Sequence, residues 1–295
     1  MKFIYAEGCD EITTGKEGFA QALAAARQAD VILLGMGEDF NWSGEAASRT
    51  DIKLPGAQQD LLKELKKLGK PMGLVLMNGR PLDLSWEDEN VDGIMEAWYL
   101  GTMAGHAMAD VIAGDYNPSA KLTMSFPRNV GQLPLYYNQK NTGRPLPAND
   151  PKMDYKSSYL DVANTALYPF GHGLSYTTFR ISDMKLDKTE LKRGETLIIT
   201  ANVSNTGDVD GEEIVQLYIR DVAASVTRPV KELKGFSKIA LKKGESREVK
   251  FTLTEQDLEI LDLEMNKRAE AGDFKVWVAT SSADESNEAA FLLKD

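Results

Sequence analysis

The sequence has very little of what disulfide and metal chemistry require. Cys9 is its only cysteine, which excludes an intrachain disulfide and a cysteine metal cluster. A lone cysteine fits a cytosolic protein, although a large core needs no disulfide in any compartment. His106 and His172 are the only histidines, so a multi-histidine metal site is excluded, and no cofactor is expected. Positive charge is also short: 34 Lys and Arg face 45 Asp and Glu, a net charge of -11. That balance argues against a nucleic-acid backbone or an anionic membrane as partner, while a neutral ligand such as a sugar is compatible with it. No run approaches the roughly 20 apolar residues of a membrane helix. The opening MKFIYAEGCDE has no charged leader ahead of a long apolar stretch, and no signal peptide is expected. Lys2 to Ala6 reads as a strand entered without a cap or preceding loop, as though the chain continued upstream.

What is present divides in two, as 295 residues would suggest. In the first half, apolar runs alternate with helical patterns. Glu17 to Asp30 places Phe19, Ala22, Leu23 and Ala26 at helical spacing, and Val31 to Leu34 is wholly apolar. Ala57 to Leu68 repeats the helix with Leu61, Leu62, Leu65 and Leu68; Gly69, the basic residues Lys66, Lys67 and Lys70, and Pro71 end it. Met72 to Met77 is a second strand, Val91 to Leu100 a third, and Met103 to Ala113 a helix stopped by Gly114. This alternation predicts an α/β sandwich domain over 1–135, with a largely parallel sheet covered on both faces. Ligands of such sheets bind beyond the carboxyl ends of the strands, which directs attention to the long loop from Gly37 to Gly56.

From 136 to 179 the periodicity fades into prolines, glycines and tyrosines (Pro145, Pro147, Pro151, Pro169; Tyr136, Tyr137, Tyr155, Tyr159, Tyr168). The stretch reads as an extended connector whose aromatics need a surface to pack on. Over 180–295 the period becomes two. Thr196 to Val203, Glu213 to Arg220, Ser246 to Leu253 and Phe274 to Thr280 read as strands separated by turns. An all-β sandwich is predicted, and without paired cysteines the fibronectin type III-like variety is preferred over the immunoglobulin one.

Chemistry concentrates in Gly35 to Asp51, where Glu38, Asp39, Glu45 and Asp51 share one loop with Trp42 and Arg49. Glycosidic hydrolysis needs two carboxyl groups, and one shielded beside an aromatic would be held protonated and could act as the acid. The same residues fit a plainer reading, in which Glu45 caps a helix or pairs with Arg49. Trp42 suits either a sugar platform or loop packing, and Arg49 either a carboxylate partner or a substrate contact. Gly35-Met36-Gly37 lacks the third glycine and following helix of a nucleotide-binding turn. His106 reads as a buried or edge histidine, and His172 as one whose flanking glycines serve the backbone.

Ser43-Gly44-Glu45, Arg49, Asp51 to Gly56 and Gln58-Gln59 resemble the second-domain loop of family 3 glycoside hydrolases. The resemblance continues through Val75 to Pro81, Gly114 to Ser119 with Lys121-Leu122, Ser125 to Pro134 and Tyr168 to Phe179. It implies kinship with periplasmic bacterial β-glucosidases, built from a (β/α)-barrel, an α/β sandwich and a fibronectin-like domain. On that resemblance Glu45 is the general acid/base, with Trp42 and Arg49 as candidate substrate contacts. The aspartate nucleophile would belong to an N-terminal (β/α)-barrel absent from this chain. Relatives carry Asp-Arg where Ser48-Arg49 stands here. The implied activity is retaining hydrolysis of terminal β-glucosyl residues of a β-glucoside or oligosaccharide, in the periplasm or outside the cell, with the chain alone inactive. The alternative is a non-catalytic carbohydrate-binding or assembly module. A face left open by the missing barrel would favour a homo-oligomer.

Overall fold

The computed structural model describes residues 2–141, 143–145 and 155–295; Pro147 and Pro151 of the expected connector lie outside them. The chain forms two compact units, Met1–Asp110 with Phe126–Pro134, and Val111–Ser125 with Leu135–Asp295.

The first unit runs α1 (Phe19–Gln28), β1 (Ile32–Gly37), α2 (Gln58–Lys66), β2 (Met72–Met77), α3 (Ser85–Asn90) and β3 (Gly93–Glu96), and α4 (Ala104–Ala113) begins in it and runs past its boundary at Asp110. The three strands form one parallel sheet in the order β1-β2-β3. Ile32, Leu34, Met36, Met72, Leu74 and Leu76 alternate onto one face and are all buried, as are the helix residues Ala22, Ala26, Leu61, Leu62 and Leu65. The other face departs from the expected double cover: Leu33 is 52% exposed, Met77 is partly exposed, and α4 buries none of its residues among those described. His106, on α4, is exposed.

Three local expectations are corrected. Lys2 to Ala6 is not a strand, and Phe3 and Tyr5 stand in solvent; apolar alternation alone makes no strand without an edge to pair with. The third strand stops at Glu96, because Trp98 takes a left-handed backbone conformation (φ 49°). Lys70 serves α1 rather than α2: its Nζ donates to the carbonyls of Ala26, Arg27 and Ala29 at the end of α1, where a cation complements the helix dipole.

The second unit is all β. β4 (Phe179–Leu186), β5 (Glu190–Lys192), β6 (Leu197–Asn205), β7 (Gly211–Asp221), β8 (Glu232–Leu241), β9 (Ser246–Leu253), β10 (Ile260–Leu261), β11 (Lys267–Arg268), β12 (Gly272–Ala279) and β13 (Glu288–Lys294) follow in order. They make a sheet β5-β13-β12-β7-β8, a sheet β4-β6-β9 and a small β10-β11 ribbon. The core holds Ile199, Val203, Leu217, Phe251, Phe274 and Val276. β7 is buried without a break from Val215 to Ile219, because its outer face is covered too. There Tyr137 stacks on Phe170 (4.2 Å between centroids) and meets Tyr218 edge-on (6.1 Å), while Tyr218 and Trp277 are buried beneath. Tyr168 stacks on His172 at 5.3 Å, whereas Tyr136 and Tyr155 remain exposed. Buried Lys231 lies over Trp277 (4.5 Å) and donates to Asp284 O.

Candidate active site

β1 ends at Gly37 for a steric reason. Its φ is 148°, and a Cβ there would lie 1.7 Å from the Met77 carbonyl oxygen, so only glycine lets the chain turn so close to β2. The buried side chain of Gln58 fixes this turn from the start of α2. Its Oε1 accepts from Gly37 N, and its Nε2 donates to Gly37 O, each at 2.8 Å.

The loop that follows is tied down at its root. Glu38, whose side chain has no exposure, accepts from Arg49 (2.5 Å) and from Arg80 Nε (3.2 Å). A buried carboxylate needs such partners to remain charged. Arg80, beyond the end of β2, also donates to Ala47 O (3.0 Å) and Trp42 O. Tyr99, beyond the end of β3, donates its hydroxyl to Glu38 O (3.3 Å) and Asp39 O (3.1 Å). Asp39 caps the short 3-10 turn Phe40–Trp42 by accepting from Asn41 N, and Asp51 accepts from Lys53 N.

Three of the four loop acids therefore hold structure. Glu45 is the fourth. It sits at the exposed tip between Gly44 (φ 143°) and Ala46 (φ 59°), and among the described residues no hydrogen bond or ion pair engages its carboxylate. The expected shielding of Glu45 is not found in this unit: it is exposed and neither caps a helix nor pairs with Arg49. Arg49 instead lies over the half-buried Trp42 ring at 5.1 Å and donates to Glu38 and to Lys53 O (3.1 Å). Trp42, Arg49 and Ala46 to Asp51 border an open cavity of about 710 Å³ with Leu54 to Gly56.

The first unit thus carries, beyond the end of β1, a loop with one carboxylate unpartnered among the described residues and an open cavity lined by the residues that follow it. Residues 3–176 match the glycosyl hydrolase family 3 C-terminal domain, and residues 213–282 a fibronectin type III-like domain. The chain belongs to glycosyl hydrolase family 3. It is similar to a periplasmic β-glucosidase of Salmonella typhimurium (49% identity, covering 89% of this chain and 34% of that protein). A β-xylosidase of Formosa agariphila is 44% identical over the whole of this chain and 40% of its own length. Among solved structures, a β-glucosidase of Listeria innocua crystallised with glucose superimposes with a TM-score of 0.92 at 40% identity, over 97% of this chain and 40% of that one. The chain thus spans 34–40% of the length of these family 3 relatives.

Of the family blocks beyond the loop, Gly114 to Leu122 and Tyr168 to Phe179 serve to build the second unit. Asn117 Oδ1 accepts from Tyr176 N and Ser175 Oγ, and its Nδ2 donates to Asp210 O. Lys121 pairs with buried Glu213 at 2.8 Å, and Leu122 and the Gly171-His172 turn exchange two backbone hydrogen bonds. Gly171 adopts φ 80°, and a Cβ there would lie 2.2 Å from Gln216 Oε1, so backbone freedom and the close approach explain that glycine. Residue-by-residue reading gave no role to Gln58, Asn78, Arg80, Glu96 or Tyr99. Their common signal was position, at or just past the carboxyl end of a strand or at the start of the helix after it.

Proposed function

We propose that this chain is the acid/base-bearing and accessory part of a retaining β-glucosidase acting on terminal β-glucosyl residues, with Glu45 as general acid/base. One observation carries the reading: of the four acids in the strand-end loop, Glu45 alone has no hydrogen-bond or ion-pair partner among the described residues, and it directly precedes Ala46, the start of the cavity-lining run Ala46 to Asp51. The nucleophile that a retaining mechanism requires about 5–5.5 Å from the acid/base is assigned to a further domain, a (β/α)-barrel, and the chain alone is inert. In the first step Glu45 donates its proton to the departing glycosidic oxygen; in the second it takes one from the water that releases the sugar. An exposed tip suits this assignment because the barrel proposed to carry the nucleophile would close over it and exclude water. Trp42 offers the sugar the ring face that Arg49 leaves open, and Arg49 holds the ring by lying over its other face while anchored to Glu38. The name of the Salmonella typhimurium relative supports a periplasmic setting, and that of the Formosa agariphila relative leaves β-xylosides as a second substrate class.

The test is hydrolysis of an aryl β-glucoside by this chain combined with a barrel-bearing N-terminal part of a family 3 relative. Turnover is expected only from the combination, with Glu45→Ala lowering it by at least 100-fold and azide restoring part of it, in line with the size of general-acid effects. Robust turnover by the chain alone, or an unimpaired Glu45→Ala, overturns the proposal.

A further inference from the structure

The carboxyl group of Glu96, the last residue of β3, is not explained by the site above. Its Oε1 accepts the Trp98 amide at 2.9 Å. Its Oε2 is buried, and among the described residues no donor reaches it. Asn78, fully buried at the end of β2, lies against the same carboxyl. The Asn78 Nδ2 donates to Arg80 O at 2.6 Å, which fixes the orientation of the amide, and its Oδ1 is likewise buried without a donor. Neighbouring buried acceptors that both lack a hydrogen are an arrangement folded proteins avoid. A single proton on Oε2 resolves both.

We propose that Glu96 is held as a neutral carboxylic acid, donating from Oε2 to Asn78 Oδ1 while accepting from Trp98 N, and that this proton positions the root of the Glu38-to-Gly56 loop. The link is the Trp98-Tyr99 turn. Trp98 occupies the left-handed region (φ 49°) that residues with a side chain rarely adopt, with its ring 5.9 Å from that of Phe126. The turn delivers Tyr99, whose hydroxyl ties the carbonyls of Glu38 and Asp39.

Ionising Glu96 would place a charge that no cation answers. The charged and titratable groups around this end of the sheet include Glu38, Asp39 and Arg49 after β1, Arg80 after β2, Tyr99 after β3 and Arg128 two residues past Phe126, and no cation is among the groups that act on Glu96. Arg49 and Arg80 are engaged by Glu38 and by loop carbonyls. What acts on Glu96 is burial first, then the Trp98 amide and the Asn78 side chain; burial prevails and pushes its pKa up to about 7. Glu96 touches no reacting group, so it is a positioning residue, and the inference concerns the conformation of the loop whether or not Glu45 is the acid/base.

The experiment uses the full chain with ¹³C-labelled glutamate carboxyls and fluorinated tryptophan, titrated from about pH 4 to pH 9. The Glu96 carboxyl, assigned by its loss in Glu96→Gln, is expected to titrate near pH 7 rather than at the ordinary value of 4.5, and the Trp98 and Trp42 fluorine signals should move with it. Glu96→Gln keeps a donor and an acceptor in place, and should hold both signals still above pH 5. Tyr99→Phe should leave the Glu96 and Trp98 titrations intact while abolishing the response of Trp42. A Glu96 carboxyl that titrates with the bulk glutamates, or a Trp42 response that persists in Glu96→Gln, overturns the proposal. Should Glu96→Gln fail to fold, the Tyr99→Phe comparison decides it alone: a Trp42 response surviving there refutes the link, and its loss supports it.

Discussion

Replacing Arg80 with methionine tests whether the loop is held from the neighbouring strand. The substitution keeps most of the aliphatic stem and removes three contacts: the hydrogen bond to Glu38 Oε2 at 3.2 Å, the one to Ala47 O at 3.0 Å, and the one to Trp42 O. Removing one partner of a buried ion pair costs about 3–5 kcal/mol. Glu38 keeps Arg49 at 2.5 Å, and two freed carbonyls on a surface loop can turn to water, so the lower end applies, about 3 kcal/mol. Urea unfolding followed by tryptophan fluorescence reads this by unit, since Trp42, Trp86 and Trp98 lie in the first and Trp277 in the second. The first-unit transition should lose that amount, roughly a 150-fold change in its equilibrium constant, with protease cleavage appearing between Asn41 and Gly56. Arg80→Lys should recover only part of it, because an ammonium cannot fork to Glu38 and two carbonyls together. A loss below about 1 kcal/mol with the loop still protected would show that β2 does not hold it.

Other perturbations follow from single contacts. Gly37→Ala forces a methyl group into the Met77 carbonyl and should cost the first unit more than about 3 kcal/mol by the same urea assay. The folded-state pKa of Glu96 lies above its unfolded value, so the native state keeps a proton that the unfolded chain has lost. Stability of the first unit should therefore fall as pH rises from 4.5 through 7, by at most about 3 kcal/mol, and then level off; melting curves of Glu96→Gln should lack that slope. Leu217→Ala, deep in the β sandwich, should lower only the Trp277 transition, by about 3 kcal/mol. Glu45→Gln should change neither transition by more than about 0.5 kcal/mol, as for other exposed residues without partners.

Periodicity was legible wherever burial was one-sided and local. Met72 to Met77 and Ser246 to Leu253 begin and end as the pattern predicts, since each alternates or fills a face without interruption. β8 escaped notice because Lys234, Gly235 and Lys238 dilute an edge strand that buries little along its first half. β13, Glu288–Lys294, pairs parallel with three-residue β5, an arrangement no local pattern announces. The loop itself was readable as a strand-end loop with four acids. What separated Glu45 from Glu38 was not readable, because it depends on Arg80, some forty positions along the chain. Arg49 shows the same limit: its spacing from Glu45 suggests a pair, yet the buried Glu38 holds it.

The outer face of β7 and β12 has a practical consequence for where this chain can be divided. The pattern of strands begins near Phe179, which invites a cut at that point to obtain the β sandwich alone. Yet Tyr137 and Phe170 precede that point and form the roof over Tyr218 and Trp277, and Tyr137 also accepts the Leu233 amide. A piece starting at 180 would bare a tyrosine and a tryptophan together, the kind of wet aromatic patch that makes isolated domains stick to one another. The residues before the first strand are a lid for the sandwich as much as a tether to what precedes it.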